Sequence, residues 1–422
     1  MTDSPLARWL PPEAWRRNQF AVNLATGLLF FGFTLVMPFM PFFVESLGVQ
    51  GHEIAIWSGV VLFTAPFLAA LLGPFWGRLT DRYGMKIMLQ RIVIAMILHW
   101  LLMYFVHSVA HLMVLRVMLG VFSGFGTLSL ALITHGVPQE HVGRVVGSLQ
   151  ATRTVGAALG PAVGGVLFDA VGFRPTFLIA AAICALGFVL VTLAYREIPA
   201  ASSAGAADGR PLTFRELLSV PGVFTILSLL FFASMVARSF SLIIPLFLEE
   251  LAGPAATLGV LSGVAFSLGA FADTTSSLGL GRLSGRGRPR LWVLGSLVLG
   301  ALALFGMANV VDWAWSLVIL RIVFGFVAGG LVTAAYTLAS GSVSQRSRAT
   351  AYAILSGAAM LGASLGPLAS GFLAPLVGFR GLLGTGAGIF LVLAMVLAIN
   401  AIRRPPLRVP AEREVPYVPL PR

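Results

Sequence analysis

HLMVLRVMLGVFSG at residues 111–124 and SLVILRIVFGFVAG at residues 316–329 are near copies of each other, and each carries an arginine inside an apolar run. Arg116 and Arg321 occupy the same slot, four residues before Gly120 and Gly325. A second pair reads LGPAVGGVLFDAVGFR at 159–174 and LGPLASGFLAPLVGFR at 365–380. The pairs are separated by 205 and 206 residues in a chain of 422. The chain therefore reads as a duplication of one unit, with charge kept at matching depths. Such an architecture suits a transporter whose halves move around a central site.

Composition fixes the solvent. Hydrophobic residues make up 58% of the chain and charged residues only 10%, with a mean hydropathy of +0.92. A soluble protein of this length has too little interior to hide that much apolar surface. Hydrocarbon accepts it, provided that every backbone N–H and C=O is satisfied within helices. The 47 glycines and 24 prolines are compatible with that, because membrane helices tolerate both. The net charge of +12 would point to nucleic acid in a soluble chain. Here the positive residues sit in short loops and set orientation, so no nucleic-acid partner is expected. Cys184 is the only cysteine, which excludes an intrachain disulfide and a thiolate metal site.

A spanning helix needs about 20 mostly apolar residues. On that criterion the chain is predicted to be an all-α membrane protein of twelve spans in two pseudo-symmetric six-helix bundles. Spans 1–6 fall at roughly 18–43, 54–77, 87–107, 111–136, 147–169 and 174–195. Spans 7–12 fall at roughly 222–248, 256–280, 291–309, 314–340, 350–376 and 380–402. The predicted division is a tail 1–17, a bundle 18–195, a linker 196–221, a bundle 222–402 and a tail 403–422. The linker, REIPAASSAGAADGRPLTFRELLSVP, is small, polar and rich in Pro and Gly. The first residues, MTDSPLARWLPPEAWRRN, do not read as a secretory signal, because the apolar stretch after them is too long and no small-residue cleavage site follows. With both termini placed in the cytoplasm, almost every loop arginine and lysine falls inside. Only Arg174 and Arg380 fall outside.

Two motifs carry mechanism. GPFWGRLTDRYGMK, residues 73–86, joins spans 2 and 3. Gly77 and Gly84 allow a tight turn there, and Asp81, Arg82 and Lys86 form a compact charge cluster. A carboxylate in that place can dock on a neighbouring helix N-terminus and hold a gate closed. The loop can equally be a basic element that sets orientation. Its partial echo GRLSGRGRPR at 281–290 keeps Gly281 and Arg282 but has Gly285 where Asp81 stands. The second motif is on span 5, where Gly156, Gly160 and Gly164 recur every four residues, with Pro161 and Gly165 beside them. Such a stripe lets helices approach closely and slide, while proline bends the axis. Span 11 repeats it with Gly362, Gly366, Pro367, Ser370 and Gly371. Close packing without switching explains the same pattern.

These residues resemble the signatures of the major facilitator superfamily. Residues 73–86 match its loop 2–3 signature, Arg116 with Gly120 resembles the span-4 signature, and Gly160-Pro161 with Gly164-Gly165 resembles the span-5 signature of exporters. GFTLVMPFMPFFVESLG at 32–48 resembles span 1 of the drug:proton antiporter branch, and nearly the whole chain is similar to multidrug efflux proteins of that branch. The resemblance implies two bundles that rock about a central cavity. It implies that Asp81 meets the N-terminus of span 11, near Ala349, when the cytoplasmic side is closed. It also implies export rather than uptake, and a role for Arg116 in proton coupling.

A charge at mid-membrane costs about 2.5 kcal/mol or more, so each needs a reason. Arg116 has the reason just given; snorkelling or bonding a carbonyl are the alternatives. Arg321 is its twin. Arg238 lies about halfway along span 7, and Asp273 on span 8 is the one acid well inside an apolar run. Those two can pair statically, or Asp273 can carry a proton as access changes. Asn23, Thr26, Phe30, Thr34 and Met37 share one face of span 1, which suits either a cavity wall for amphipathic cargo or helix packing. Glu45 and Glu249 end spans 1 and 7 at equivalent places, and His99 reads as a packing residue.

No enzyme constellation is present. The chain has no HExxH and no GxxxxGK[ST] phosphate loop, so neither ATP, a cofactor nor a metal is expected. The expected partners are a small-molecule substrate, protons and the bilayer of the cell membrane, with the chain acting as a monomer. A metabolite or lipid porter on the same fold is the first alternative, and a non-transporting membrane sensor or scaffold the second. The orientation is directly testable. A cysteine placed in the C-terminal tail should react with a membrane-impermeant thiol reagent in inside-out vesicles and stay silent in intact cells. Labelling in intact cells would reverse the topology.

Overall fold

In the computed structural model of the chain, the described residues are 14–123, 128, 132–134, 137–195, 222–253, 257–284, 289–309, 312–340 and 348–403. They are helical throughout, with no strand among them. Ten helices are long and apolar enough to cross a membrane. One of these, Arg348–Arg403, is broken at Gly378 (φ 68°, ψ 175°) and supplies spans 11 and 12. Span 4 is described as the shorter apolar helix Val109–Phe122; the end of its predicted range is only partly within the described residues. The predicted linker and both predicted tails lie almost wholly outside them.

Helix ends follow local chemistry rather than the hydrophobic window. Span 2 runs Gly51-capped from His52 to Tyr83, span 5 covers Gln139–Val171, and span 8 covers Leu258–Ser284. Each outlasts its apolar stretch, because helical hydrogen bonding continues into the headgroup region where polar side chains are solvated. Gly77 therefore sits inside helix, not in a turn as expected; only Gly84 (φ 87°) breaks the chain there. The repeated GFR turns have one cause. Gly172 (φ 78°) and Gly378 (φ 68°) take a backbone conformation that a side chain disfavours, which ends spans 5 and 11. Span 1 is interrupted differently. Ala14–Val36 gives way to a 3-10 turn, Met37–Phe39, and a short helix, Met40–Ser46, because Pro38 and Pro41 cannot donate to the preceding turn.

The helices pack in the same pattern twice. Span 1 lies on spans 5 and 6, span 2 on span 4, and span 3 on span 6; span 7 lies on span 11, span 8 on span 10, and span 9 on spans 10 and 12. Aromatic clusters fill each set. Phe177 touches Phe43 edge-on at 4.9 Å and stacks on Trp100 at 6.2 Å. Phe324 joins Phe240 at 4.9 Å to Phe390 at 5.8 Å. Many apolar side chains, Val114 and Leu376 among them, point outward and suit hydrocarbon.

Spans 1–6 meet spans 7–12 along two seams, span 2 on span 11 and span 5 on span 8. The seams are glycine-lined and related by the internal repeat. A Cβ on Gly59 would stand 2.6 Å from the Pro367 carbonyl, and one on Gly371 would stand 2.5 Å from that of Ala55. In the other seam Gly263 abuts the Pro161 carbonyl, and Gly165 abuts that of Gly259. All these residues lie toward the face remote from loop 2–3. Toward the loop 2–3 face, here the basic face, glycines of the same four helices meet open space among the described residues. Gly73 and Gly77 of span 2, Gly143 and Gly147 of span 5, Gly279 of span 8 and Gly357 of span 11 have no such neighbour within 4 Å.

One helix tests this division. Gly164→Ala would drive a methyl into the Leu35 carbonyl and should destabilise the detergent-solubilised protein by about 1–3 kcal/mol. Gly147→Ala, in open space, should be neutral or stabilising by up to about 1 kcal/mol through helix propensity. Equal thermal shifts for the two variants would contradict the packing.

Candidate coupling and gating sites

Arg116 is 1% exposed. Its Nη2 donates to the Met37 sulfur at 3.3 Å, while Nε and Nη1 have no partner among the described residues. The contact joins span 4 to the 3-10 break of span 1. His99 of span 3 lies alongside, fully buried, with its Nδ1 3.2 Å from the Leu115 carbonyl. A guanidinium held by one soft acceptor is poorly compensated, so this position costs stability.

The twin in the second half is better surrounded. The Arg321 guanidinium lies 4.8 Å from the Phe240 ring centroid and 5.8 Å from that of Phe324, which supplies cation–π attraction. It fills the space beside Gly269, where a Cβ would be 2.9 Å from its Cζ. Asp273 is one turn further along span 8, with its backbone carbonyl against Gly329 of span 10. The cations acting electrostatically on Asp273 are Arg321 first and Arg238 second. No ion pair joins Arg238 to Asp273 among the described residues. Arg238 is exposed at the middle of span 7, so the acid faces two guanidinium groups and is clasped by neither.

The polar face of span 1 turns toward span 5. Asn23 Nδ2 donates to Ser148 Oγ at 2.9 Å, and Thr34 Oγ1 donates to the Gly156 carbonyl at 3.2 Å. Thr26 is fully buried. Phe30 is half-buried, with the Arg153 guanidinium 5.5 Å from its ring. Gly156, Gly160 and Gly164 supply the room for this contact against Gly27, Thr34 and Leu35. Gly165 turns the other way, onto span 8. The stripe on span 11 divides likewise: Gly362 and Gly366 meet span 7 carbonyls, while Pro367 and Gly371 meet span 2. Ser239, the counterpart of Thr34, donates to the Gly366 carbonyl at 3.2 Å.

At the basic face, Lys86 Nζ donates to the Thr192 and Tyr195 carbonyls at 3.1 and 3.0 Å. Lys86 thus satisfies the carbonyl end of span 6, where a cation is favoured. Arg82 lies over Tyr83 at 5.5 Å. Arg91 lies over Trp76 at 3.3 Å, and Trp76 Nε1 donates to the Val121 carbonyl at 2.7 Å. The side chains of Asp81 and Arg282, and the surroundings of Gly281, lie outside the described residues.

Sequence reading passed over three features. Arg153 was absent from the candidates. The seam role of Gly59 and Gly263 is not among the expectations, although SGV at 58–60 recurs at 262–264. Asp169 was quoted only as part of a repeat, yet its carboxylate bonds the backbone of span 8. Its mismatch with Pro375 in the other copy was the available signal.

Comparison with known proteins gives one consistent answer. The model of the Major Facilitator Superfamily matches residues 22–317 and 263–421. Multidrug resistance protein MdtG of Enterobacter lignolyticus is 34% identical over 397 residues, covering 93% of this chain and 92% of that one. The protein of the same name from Proteus mirabilis is 31% identical over 401 residues, covering 92% and 95%. Among solved structures, a bacterial homolog to the human lysosomal transporter Spinster, inward-facing and occupied, aligns with a TM-score of 0.77 at 17% identity, covering 95% and 98%. The nucleoside transporter NupG aligns at 0.72 and 16%, covering 91% and 98%. At those identities the structures speak for the fold alone.

The poor compensation of Arg116 has a measurable consequence. Arg116→Met exchanges a buried cation for an apolar side chain, and should raise thermal stability by about 1–3 kcal/mol. A loss of stability would mean that the guanidinium is better satisfied than its contacts indicate.

Proposed function

The chain belongs to the major facilitator superfamily, and we propose that it is a secondary active transporter exporting small amphipathic or lipophilic compounds in exchange for protons, by alternating access. The observation that carries this reading is the packing of the halves. Four helices meet in pairs through glycines at one face, whereas their glycines toward the basic face meet open space among the described residues. A body hinged in this way opens toward one side at a time.

The multidrug resistance names of relatives about one-third identical over more than nine-tenths of the chain support drug-like cargo. The span-5 signature supports export. The basic loops support a cell-membrane location with both termini in the cytoplasm. On this reading residues 18–195 and 222–402 are the moving bundles, 196–221 connects them, and the Asp81 loop closes the cytoplasmic side. With Asn23 and Thr34 engaged against span 5 and Thr26 buried, the cargo wall falls to Phe30 and its neighbours. Asp273 and Arg116 carry coupling. Proton binding to Asp273 removes the negative charge that acts on Arg321 and Arg238, and the unbalanced cations then favour a rearrangement that readmits water or an anion. Arg116, held by one soft contact, is free to change partners as span 1 shifts.

Purified protein in liposomes with an imposed pH gradient, presented with cationic, neutral and anionic compounds, tests the whole reading. Gradient-driven flux of at least one class is expected. Arg116→Ala and Asp273→Asn should each lower it at least about tenfold, equivalent to about 1.4 kcal/mol. Exchange of labelled for unlabelled substrate without a gradient should survive in Asp273→Asn. Full gradient-driven flux in both variants would refute the coupling assignment, and no flux of any class would refute the transport reading.

A further inference from the structure

Asp169 lies near the end of span 5, at the face where the halves touch, and its carboxylate belongs structurally to the other half. Oδ1 accepts from Gly259 N at 3.0 Å, and Oδ2 accepts from Val260 N at 2.9 Å. Both N–H groups are in the first turn of span 8, which starts at Leu258. The next residue, Leu261, already bonds within the helix, to the Thr257 carbonyl at 3.0 Å. The carboxylate therefore satisfies two of the donors that a helix start leaves unpaired. It brings negative charge to the positive end of the helix dipole, through charge-assisted bonds. It does so from a different helix in a different half of the molecule.

The surroundings place the group for this contact. Phe168 stacks on Phe39 at 5.7 Å and on Phe42 at 5.8 Å, which fixes the end of span 5 to span 1. Gly259 leaves the approach clear, since a Cβ there would stand 2.5 Å from Asp169 Oδ1. The other seam has no equivalent among the described residues. Pro375 occupies the matching position on span 11 and offers no side-chain acceptor. The matching donors, at Ala55 and Ile56, lie within span 2, which has already begun at His52. One seam thus closes on glycines alone, and the other closes on glycines plus a carboxylate.

We infer that Asp169 is a latch that holds the two halves closed at the face opposite loop 2–3, and that breaking its two bonds is part of opening that face. The inference rests on the alternating-access reading. Span 5 cannot leave span 8 without separating the carboxylate from both N–H groups, so the latch exists in one access state and is absent from the other. Asp169 acts through helix position and touches no cargo.

Spin labels at Ser46→Cys and Glu250→Cys, in a Cys184→Ala background, report the distance across that face in the full chain in nanodiscs. Both positions are exposed ends of spans 1 and 7. Asp169→Ala should raise the ratio of long to short distances roughly fivefold, the scale of losing a helix cap. Asp169→Asn, whose amide oxygen keeps one acceptor, should shift it less and in the same direction. If the parent chain exchanges between two distances and both variants superimpose on it, the latch is wrong and alternating access stands. If parent and variants share one unchanging distance at every pH, both ideas fall.

Discussion

Two helix backbones can touch only where at least one of them lacks a side chain, and this constraint organises the molecule. In hydrocarbon no hydrophobic force pulls helices together, so association depends on close contact and on weak polar bonds. Here glycine supplies the contact at the three broadest junctions. Gly156, Gly160 and Gly164 seat span 5 on span 1, Gly362 and Gly366 seat span 11 on span 7, and Gly325 and Gly329 seat span 10 on span 8. The seams between the halves use the same device, Gly59 and Gly371 in one and Gly165, Gly259 and Gly263 in the other. Junctions within a half and between the halves are thus alike in kind.

Charge follows the opposite logic. Guanidinium groups are expensive at depth, and the structure does not fully satisfy them. Arg116 has a thioether, and Arg321 has two aromatic faces and a distant carboxylate. The duplication preserved both arginines, but their environments diverged. Only the second half placed an acid one turn from the contact, at Asp273. A system with one compensating anion for two cations has a protonation-dependent balance of charge, while no acid stands beside Arg116 among the described residues. The halves are structural twins with unequal chemistry.

Much of the architecture was written in periodicity. The twelve apolar runs, the linker composition and the two copied segments need no side-chain geometry to be read, because lipid rewards apolar length directly. Details that depend on which helices are neighbours were not readable. Arg238 and Asp273 look like a pair because spans 7 and 8 are adjacent in sequence; in the fold span 8 lies chiefly on spans 5 and 10, and Arg321 of span 10 lies against Gly269, one turn from Asp273. Gly77 looked like a turn residue because it stands beside a charge cluster, yet glycine within a membrane helix is unremarkable and the helix passes through it. Asp169 was visible as a letter in a repeat. Its partner is two backbone N–H groups, and backbone donors leave no mark in sequence.

The grip of Lys86 on the last carbonyls of span 6 has a mechanical corollary. Thr192 and Tyr195 immediately precede the segment that joins the two halves. The ammonium therefore welds the start of span 3 to the root of that connector. Any swing of loop 2–3 exerts torque on the covalent bridge as well as on the neighbouring helices. A displacement at the start of span 3 is thereby passed to Tyr195, the residue from which the chain leaves the first half, and so along the main chain toward the second.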